Sequence, residues 1–367
     1  MSESRARVQD EKFLRLACLL ARKAAGRTSP NPQVGAVLVK RGRIVGSGYH
    51  KFAGGDHAEI AALKRAGARA RGATLYITLE PCSHQGRTPP CTGALIRAGV
   101  KEVVCGTRDP NPLVAGSGFR RLRRAGIRVR TGVLEKECRA LIEAFAKFIT
   151  RGAPLVTLKL AASLDGRIAA KGGDARWISG AKSRAAAHRL RNEVDAVIVG
   201  LGTVVADDPQ LTCRIAGGRN PRRVILDSRL RTPLSAKLLR LPDAAKTIIA
   251  VGADVSPARV RAFEARGIQV WRLPLRAGRI AWRPLLGRLA ADGVVSVMIE
   301  GGAAIAASAI KEKIIDKILF FFAPKILGGD GLPMIEALGL RRVKQAVVVK
   351  NLRIMPSGDD LMIAGSL

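Results

Sequence analysis

Aromatic residues and long apolar runs are both scarce in this sequence of 367 residues. Phe, Trp and Tyr make up 4% of the chain, too little for the aromatic platforms on which single-stranded nucleic acids stack. No stretch approaches the roughly 18 unbroken apolar residues of a membrane-spanning helix, because Lys, Arg or Asp interrupts each run. We therefore predict neither a specific nucleic-acid partner nor a membrane partner.

Cysteine is sparse as well. Six cysteines do not form the dense pattern of a small secreted scaffold, so each is expected to be core filler or a metal ligand. Residues 1–30 lack the uninterrupted apolar segment of a secretory signal, and their early Glu and Asp residues argue against a transit peptide. We interpret residues 11–25 as a first amphipathic helix and expect a cytoplasmic protein.

Acidic residues are heavily outnumbered. The 29 Asp and Glu residues stand against 63 Lys and Arg residues, which gives a formal net charge of +34. The excess is +17 in residues 1–150 and +17 in residues 151–367, so it is not confined to a tail. Such a surface suits solubility, attraction of phosphate-bearing small molecules, or non-specific nucleic-acid binding, and charge alone leaves the three interpretations open.

The order of hydrophobic patterns predicts two α/β domains. The chain exceeds the roughly 250–300 residues at which single cores stop growing. In the first half, β-branched runs such as "GAVLVK" and "TLYITLE" alternate with amphipathic segments, and a similar order resumes at "LVTLKLAASLDG". Gly152 and Pro154 punctuate the chain between them. We predict domains at 1–148 and 153–367, with a meander or edge addition at the end of the second.

The stretches "HAE", which begins at His57, and "PCSHQGRTPPC" supply the donor set of a catalytic zinc site. His57, Cys82 and Cys91 offer one imidazole and two thiolates, and a catalytic zinc takes three protein ligands and keeps a fourth position for water. Cys82 follows a predicted strand, and Cys91 opens a predicted helix whose dipole favours a thiolate. Glu59 then stands at a helix entry capped by Asp56, beside the metal-bound water, as the candidate proton shuttle.

Two other interpretations of these residues stay open at this point. A structural zinc site would need a fourth ligand, which His84 or Cys105 could supply. A zinc-stabilised binding module without catalysis would use the same ligands, and Glu59 would then have no chemical role.

The pattern His-x-Glu, Pro-Cys and a second Cys resembles the zinc-dependent deaminases, in which zinc activates a water that attacks a ring carbon bearing an amino group. Nucleic-acid and nucleoside deaminases usually place two residues between the cysteines, whereas here eight intervene, "SHQGRTPP". Together with "SPNPQVGAVLV", "GYHKFAGGDHAE" and "RDPNPLVAGSG", this loop makes the first half resemble the deaminase half of the RibD family of riboflavin biosynthesis.

The resemblance implies a cytidine-deaminase-like α/β/α fold for the first domain. It also implies that His57, Cys82 and Cys91 bind one zinc ion per chain and that Glu59 is the proton donor. The substrate-pocket residues that it implies are Asn31, His50, His84, Asp109 and Asn111. From the residues alone, Asn31 between two prolines, and Asp109 with Asn111 around a proline, could equally be turn formers.

The second half resembles the reductase half of the same family through "VTLKLAASLDGRIA", "WISG", "HRLRNEVDAVIVGLGTVVADDPQLTCR", "VILDSRLRTP" and "IEGGAAI". This resemblance implies a fold like dihydrofolate reductase, with NADPH as hydride donor. The positions it implies for the cofactor are Ala161, Trp177, Thr203, Asp207, Ser228, Gly302, Ala303, Ala304, Ile305, Ala306, Ala307 and Ser308. Those it implies for the substrate are Arg191, Leu211, Arg214 and Glu300.

Physical chemistry agrees with part of this assignment. Arg191 and Arg214 offer bidentate donors for a phosphate, and Glu300 can accept hydrogen bonds from hydroxyls, although either arginine could instead be a solvated surface charge. On its own, "IEGGAAIAASAI" is either an anion-binding strand-to-helix turn or a tight turn that needs glycine. Two residues depart from the family pattern: Ala175, where a polar residue is usual, and Ile142, where Asn is expected.

We therefore predict a bifunctional enzyme. It would deaminate 2,5-diamino-6-(5-phosphoribosylamino)pyrimidin-4(3H)-one and then reduce the ribosyl side chain, giving 5-amino-6-(5-phosphoribitylamino)uracil. A homo-oligomer, either a dimer or a tetramer, is expected. The alternatives are a zinc-dependent deaminase whose second domain is not catalytic and a nucleic-acid deaminase.

Overall fold

The computed structural model describes residues 3–83 and 89–367, and it divides into two compact units, Met1–Ala153 and Pro154–Leu367. Each unit has its own sheet and its own hydrophobic core. The division follows a helix that ends at Arg151, so the first domain predicted at 1–148 stops inside that helix. Within the described ranges, every helix is too short or too polar to cross a bilayer.

Helices and strands alternate along the first unit. They are α1 (Glu3–Arg22), β1 (Gly35–Lys40), β2 (Arg43–Tyr49), α2 (Ala58–Ala66), a 3-10 turn (Gly67–Ala70), β3 (Thr74–Leu79), α3 (Cys91–Arg97), β4 (Glu102–Thr107), α4 (Ser117–Arg124), β5 (Arg128–Thr131), α5 (Glu135–Leu141) and α6 (Glu143–Arg151). The strands form a sheet in the order β2-β1-β3-β4-β5. Strand β1 is antiparallel to β2 and β3, whereas β3, β4 and β5 run parallel.

The side chains of β1 show how this sheet is covered on both faces, because successive residues of a strand point to opposite sides. Ala36 and Leu38 belong to a buried cluster with residues of α2, α3 and α4. Val37 and Val39 belong to a second buried cluster with residues of α1 and α5. The first unit is therefore an α/β/α sandwich, which confirms the fold expected from the sequence.

Two glycines of β2 allow α2 to pack directly on the sheet. A Cβ at Gly46 would lie 2.4 Å from the carbonyl oxygen of Ala62, and one at Gly48 would lie 2.7 Å from that of Ala58. Side chains at these two positions would push the helix away from the strand. The close approach fixes the start of α2, where the "HAE" stretch lies.

The second unit is built around a larger sheet. Its elements are β6 (Leu155–Ser163), β7 (Arg167–Ala169), α7 (Ala181–Glu193), β8 (Ala196–Gly200), α8 (Leu201–Asp207), β9 (Arg222–Leu226), 3-10 turns at Lys237–Leu239 and Ala244–Lys246, β10 (Thr247–Val251), α9 (Pro257–Glu264), β11 (Gln269–Arg272), β12 (Leu275–Arg276), β13 (Arg279–Ile280), α10 (Trp282–Ala291), β14 (Ser296–Ile299), α11 (Ala303–Lys311), β15 (Lys317–Ala323), β16 (Leu332–Pro333), a 3-10 turn at Val343–Gln345, β17 (Lys350–Ser357) and β18 (Asp360–Ser366). The main sheet has the order β11-β10-β9-β8-β14-β6-β15-β18-β17.

This sheet is parallel from β11 to β15, and its last two strands are antiparallel. Apolar clusters cover both faces of the parallel part, as continuous apolar strands require. One cluster includes residues of α10 and α11, and the other includes residues of α8 and α9. The hairpin β17–β18 extends one edge of the sheet, so the predicted edge addition is confirmed.

Candidate active sites

Three potential metal ligands from distant parts of the chain come together in the first unit. His57 directly precedes α2, Cys82 lies just beyond β3, and Cys91 is the first residue of α3. Nδ1 of His57 lies 3.7 Å from Sγ of Cys82 and 3.2 Å from Sγ of Cys91. All three ligand atoms lie within 4.8 Å of one another.

The spacing of these atoms suits a tetrahedral zinc ion. Zinc bonds of about 2.3 Å to sulfur and about 2.0–2.1 Å to nitrogen would separate ligand atoms by roughly 3.5–3.8 Å. The observed separations of 3.2 and 3.7 Å from His57 to the two sulfurs lie close to this range. A hydrogen bond with the Cys91 thiol lowers the pKa of Cys82, and the backbone N–H of Cys91 donates to the same sulfur. Since zinc binds thiolates, the residues present fit the metal.

Neither of the suggested fourth ligands joins this group among the described residues. Cys105 is fully buried in β4, and its thiol donates to the carbonyl oxygen of Thr107 at 3.2 Å. His84 lies outside the described residues. The described part of the chain thus offers three ligands, the number that a catalytic zinc site uses.

Glu59 lies two residues after the histidine ligand, in the first turn of α2, and only 3% of it is exposed. Burial raises its pKa to about 7, and the nearby Cys82 thiolate acts in the same direction while His57 opposes both. A carboxyl group that titrates near neutrality can both accept and release a proton. The predicted cap, Asp56, does not cap this helix but pairs with Lys64, and the N-cap position is His57, whose side chain makes no capping hydrogen bond.

A cavity of about 340 Å³, called the zinc-site cavity below, is lined by His57, Glu59 and Cys82. Four of the predicted substrate residues line the same cavity: Asn31, His50, Asp109 and Asn111. The sequence therefore predicted a set of residues that the fold brings together from four separate loops.

The hydrogen bonds of His50 define its form in this cavity. Burial lowers the pKa of His50, so the ring is neutral near pH 7. Its Nδ1–H donates to the carbonyl oxygen of Asp56 at 3.0 Å, and Nε2 then accepts from Nδ2 of Asn31 at 3.1 Å. This arrangement leaves the amide oxygen of Asn31 as the group that can accept a hydrogen bond from a bound ring.

The second unit contains a buried pair of charges. The guanidinium of Arg191 in α7 donates two hydrogen bonds, each of 2.7 Å, to the two carboxylate oxygens of Glu300 just after β14. Burial is the largest single influence and would raise the pKa of Glu300, but the charge and the hydrogen bonds of Arg191, together with the charge of Lys159, hold the pKa below its ordinary value. Arg191 also donates to the carbonyl oxygen of Thr212 at 3.3 Å. Two of the predicted substrate residues are thus in direct contact.

Comparisons with known proteins agree with both halves of this description. The family model described as "Cytidine and deoxycytidylate deaminase zinc-binding region" matches residues 7–107, and the model "RibD C-terminal domain" matches residues 154–363. The riboflavin biosynthesis protein RibD of Aquifex aeolicus is 45% identical, over 96% of this chain and 97% of its own length. That of Escherichia coli is 37% identical, over 97% of this chain and 99% of its own length.

The chain belongs to the RibD family.

Solved structures of this family have the same fold. Acinetobacter baumannii RibD superposes with a TM-score of 0.88 at 37% identity, over 98% of this chain and 99% of that one. A Thermotoga maritima deaminase/reductase superposes with a TM-score of 0.87 at 38% identity, over the same shares. The chain is a bifunctional deaminase and reductase of riboflavin biosynthesis with a zinc-binding deaminase unit, which confirms the predicted function and zinc cofactor.

Two residues of this RibD family member that sequence reasoning missed lie beside the predicted ones. Glu80, 4% exposed, follows β3 and accepts backbone N–H bonds from Asp109 at 3.2 Å, Gly116 at 2.9 Å and Phe119 at 3.2 Å. One buried carboxylate therefore anchors the segment that brings Asp109 and Asn111 to the zinc-site cavity. A lone Glu at the end of a strand gives no spacing signal, so the sequence did not reveal it.

Lys159 in β6 is the second residue of this kind. Its Nζ lies 3.9 Å from a carboxylate oxygen of Glu300, and 14% of its side chain is exposed. Burial lowers the pKa of Lys159, although the Glu300 carboxylate opposes this effect. Arg191 and Glu300, two of the predicted substrate residues, thus lie with Lys159 in a cluster of two cationic groups around one carboxylate.

The predicted cofactor residues are brought together only in part. Oγ1 of Thr203 in α8 accepts the backbone N–H of Gly302 at 3.2 Å, which joins the start of α8 to the glycine turn before α11. Trp177 is 64% exposed and stacks on Arg184, with its ring 4.7 Å from the guanidinium carbon. The carbonyl oxygen of Trp177 accepts a hydrogen bond from Nζ of Lys325 at 2.6 Å.

The remaining predicted positions are dispersed around these groups. Ala161 pairs with a residue of β15, Asp207 accepts a hydrogen bond from Arg176 through its carbonyl oxygen, and Ser228 accepts one from Gly252 in the same way. Leu211 is buried in the core. Arg214 is exposed and donates to Oε1 of Gln210 at 3.3 Å, so it does not reach the buried carboxylate that holds Arg191.

Proposed function

We propose that the first unit hydrolyses the amino group of 2,5-diamino-6-(5-phosphoribosylamino)pyrimidin-4(3H)-one and that the second unit reduces the ribosyl side chain with NADPH. The product would be 5-amino-6-(5-phosphoribitylamino)uracil. The observation that carries this proposal is the cluster of His57, Cys82 and Cys91 beside a cavity that buried Glu59 also lines. In support, the Thermotoga maritima relative is described as a diaminohydroxyphosphoribosylaminopyrimidine deaminase and 5-amino-6-(5-phosphoribosylamino)uracil reductase.

We assign the proton transfers of deamination to Glu59. Zinc held by His57, Cys82 and Cys91 would lower the pKa of a water molecule and so supply a nucleophile at neutral pH. The Glu59 carboxylate takes the proton from the attacking water and delivers it to the amino nitrogen. The new carbon–oxygen bond forms before the carbon–nitrogen bond breaks; the amine then leaves as ammonia, and the second proton of the water ends on the adjacent ring nitrogen as the ring carbonyl forms. Burial of Glu59 keeps bulk water away from this proton.

Recognition of the pyrimidine is assigned to the other residues of the zinc-site cavity. Asn31, held by His50, presents its amide oxygen to the ring. Asp109 and Asn111 approach from the segment anchored by Glu80 and offer further acceptors and donors. His84 stays a predicted member of this set.

NADPH, when bound, would supply a hydride to the first sugar carbon; the bond from this carbon to the sugar-ring oxygen breaks, and that oxygen gains a proton. Burial lowers the pKa of Lys159, and this makes its ammonium a suitable proton donor. Arg191 and Glu300 would position the phosphorylated sugar, and the glycine turn before α11, held by the bond from the N–H of Gly302 to Thr203, would hold a cofactor phosphate at the start of that helix. The protein mainly aligns the nicotinamide with the sugar carbon.

The deaminase assignment is tested with Glu59→Gln and Cys82→Ser in the full chain. Glu59→Gln should retain zinc, and its rate of ammonia release should fall at least 100-fold, because the amide cannot shuttle the proton. Cys82→Ser should lose both zinc and ammonia release. Both variants should still oxidise NADPH with the deaminated intermediate. Ammonia release by Glu59→Gln at the unmodified rate would contradict the assigned role.

We also propose that the enzyme is a homo-oligomer, a dimer or a tetramer, located in the cytoplasm. Val348, Leu352 and Ile354 are exposed on or next to the edge strand β17, and a second copy would cover them. All six cysteines are free thiols, as a reducing compartment favours. Light scattering of the purified chain should give a multiple of 39.0 kDa. A monomer at micromolar concentration would contradict the oligomer, and recovery in a membrane or extracellular fraction would contradict the location.

A further inference from the structure

A second cavity of about 340 Å³ lies in the first unit, at the carboxyl ends of the parallel strands β4 and β5. Its floor is formed by the buried residues Thr107, Gly116 and Phe119. It shares no lining residue with the zinc-site cavity, and the deamination chemistry does not use it. The carboxyl edge of parallel strands is where α/β sheets characteristically bind ligands. The cavity is therefore a candidate ligand-binding site.

The cavity is strongly basic, and we call it the arginine cavity after Arg108, Arg120 and Arg123, which line it. Among the described residues, no carboxylate oxygen lies within 4.0 Å of any of these three guanidinium groups. The acidic residue of the lining, Glu135, is paired with Arg139 at 2.7 Å. Three cationic groups thus line one space without a carboxylate partner of the kind that Arg130 and Arg139 have.

One of the three arginines is fixed in place. Nη2 of Arg108 donates to the carbonyl oxygen of Ala115 at 2.6 Å. Gly116 has a φ of 79°, and a Cβ there would lie 2.7 Å from the same nitrogen, so a side chain at this position would displace the guanidinium. Pre-organisation of this kind reduces the entropy cost of binding an anion.

We propose that the arginine cavity binds a small phosphate monoester that carries hydroxyl groups, such as a sugar phosphate. Planar guanidinium groups match phosphate oxygens in bidentate fashion, and three of them offset the two charges of a monoester. The hydroxyls of Thr107 and Thr131 and the carboxylate of Glu135 are suited to the ligand's hydroxyl groups. A concave site of this volume holds a small molecule, whereas a nucleic-acid backbone needs an extended groove.

The proposal is tested on the zinc-loaded full chain by labelling arginines with phenylglyoxal, with peptide mass spectrometry as the readout and ribose 5-phosphate as the probe. Arg108, Arg120 and Arg123 should be labelled at least fivefold more slowly when the probe is present. Ribose without phosphate should give no protection. Arg124 lies exposed on the same helix as Arg120 and Arg123 but outside the cavity, so its labelling should not change.

A double variant, Arg120→Ala with Arg123→Ala, should abolish the protection of Arg108 while zinc content and ammonia release stay within twofold of the unmodified enzyme. Arg124→Ala is the matched control and should preserve the protection. The proposal is overturned if ribose 5-phosphate protects none of the three arginines, or if Arg124 is protected equally. It is also overturned if a single-stranded RNA protects them and the monoester does not. Loss of ammonia release with zinc retained in the double variant would place this cavity within the deaminase site instead.

Discussion

Glu80→Gln should weaken substrate binding by the deaminase without removing its zinc. In the native protein, one oxygen of Glu80 accepts the N–H groups of Asp109 and Gly116, and the other accepts that of Phe119. An amide of the same shape keeps one acceptor oxygen and turns an NH₂ group toward at least one buried N–H donor. Loss of such a bond to a charged acceptor costs about 1–3 kcal/mol. If about 1.4 kcal/mol of this cost weakens substrate binding, KM rises tenfold.

The assay compares kcat and KM for ammonia release with zinc content and NADPH oxidation. KM should rise about tenfold, while zinc per chain and reduction of the deaminated intermediate stay unchanged, because the latter takes place in the other unit. Glu264→Gln, an exposed residue of α9, removes the same charge and should leave KM unaltered. Unchanged KM in Glu80→Gln would refute the anchoring role, and loss of zinc would show that Glu80 supports the metal ligands instead.

Four further outcomes are expected. Removal of zinc by a chelator should abolish ammonia release and leave NADPH oxidation with the deaminated intermediate intact. Loss of NADPH oxidation as well would mean that zinc also supports the reductase. Arg191→Lys replaces a fork of two 2.7 Å bonds to Glu300 with a single donor, so NADPH oxidation should fall at least tenfold while ammonia release persists; equal rates would disprove the pairing's importance. Gly106→Ala should destabilise the first unit by about 1–3 kcal/mol, because its Cβ would lie 2.1 Å from Sγ of Cys138. Gly287→Ala lies in the interior of α10, where a Cβ meets no other atom, and should instead stabilise the second unit by about 0.5–1 kcal/mol. Denaturant titration measures both changes, and a stabilising Gly106→Ala with a destabilising Gly287→Ala would contradict both predictions.

The zinc site could be found from sequence because its chemistry leaves a spacing pattern. His57 with Glu59, and Cys82 with Cys91, are pairs close in the chain whose residue types have few other joint uses. Their convergence followed from the predicted strand and helix around them. The substrate roles of Asn31 and His50 could be predicted only through the family resemblance, because an Asn between two prolines is equally typical of a turn.

The residues that sequence reasoning missed owe their roles to contacts between distant segments. Lys159 lies in a strand whose alternating apolar residues make it look like an ordinary solvent-facing lysine, yet packing leaves only 14% of its side chain exposed. Glu80 finds its three N–H partners about 30 to 40 residues further along the chain. The first helix was predicted at 11–25 but spans Glu3–Arg22, since helix propensity at chain ends is a weak local signal and Gly26, with a φ of 72°, closes a turn after it.

The central claim, that one chain carries out both reactions, is tested most directly by following ammonia release and NADPH oxidation together. The purified, zinc-loaded enzyme is supplied with 2,5-diamino-6-(5-phosphoribosylamino)pyrimidin-4(3H)-one and NADPH. We predict one ammonia and one NADP⁺ for each substrate molecule consumed, with ammonia appearing first and continuing to appear when NADPH is withheld. Ammonia without any NADPH oxidation, or no ammonia at all, would contradict it.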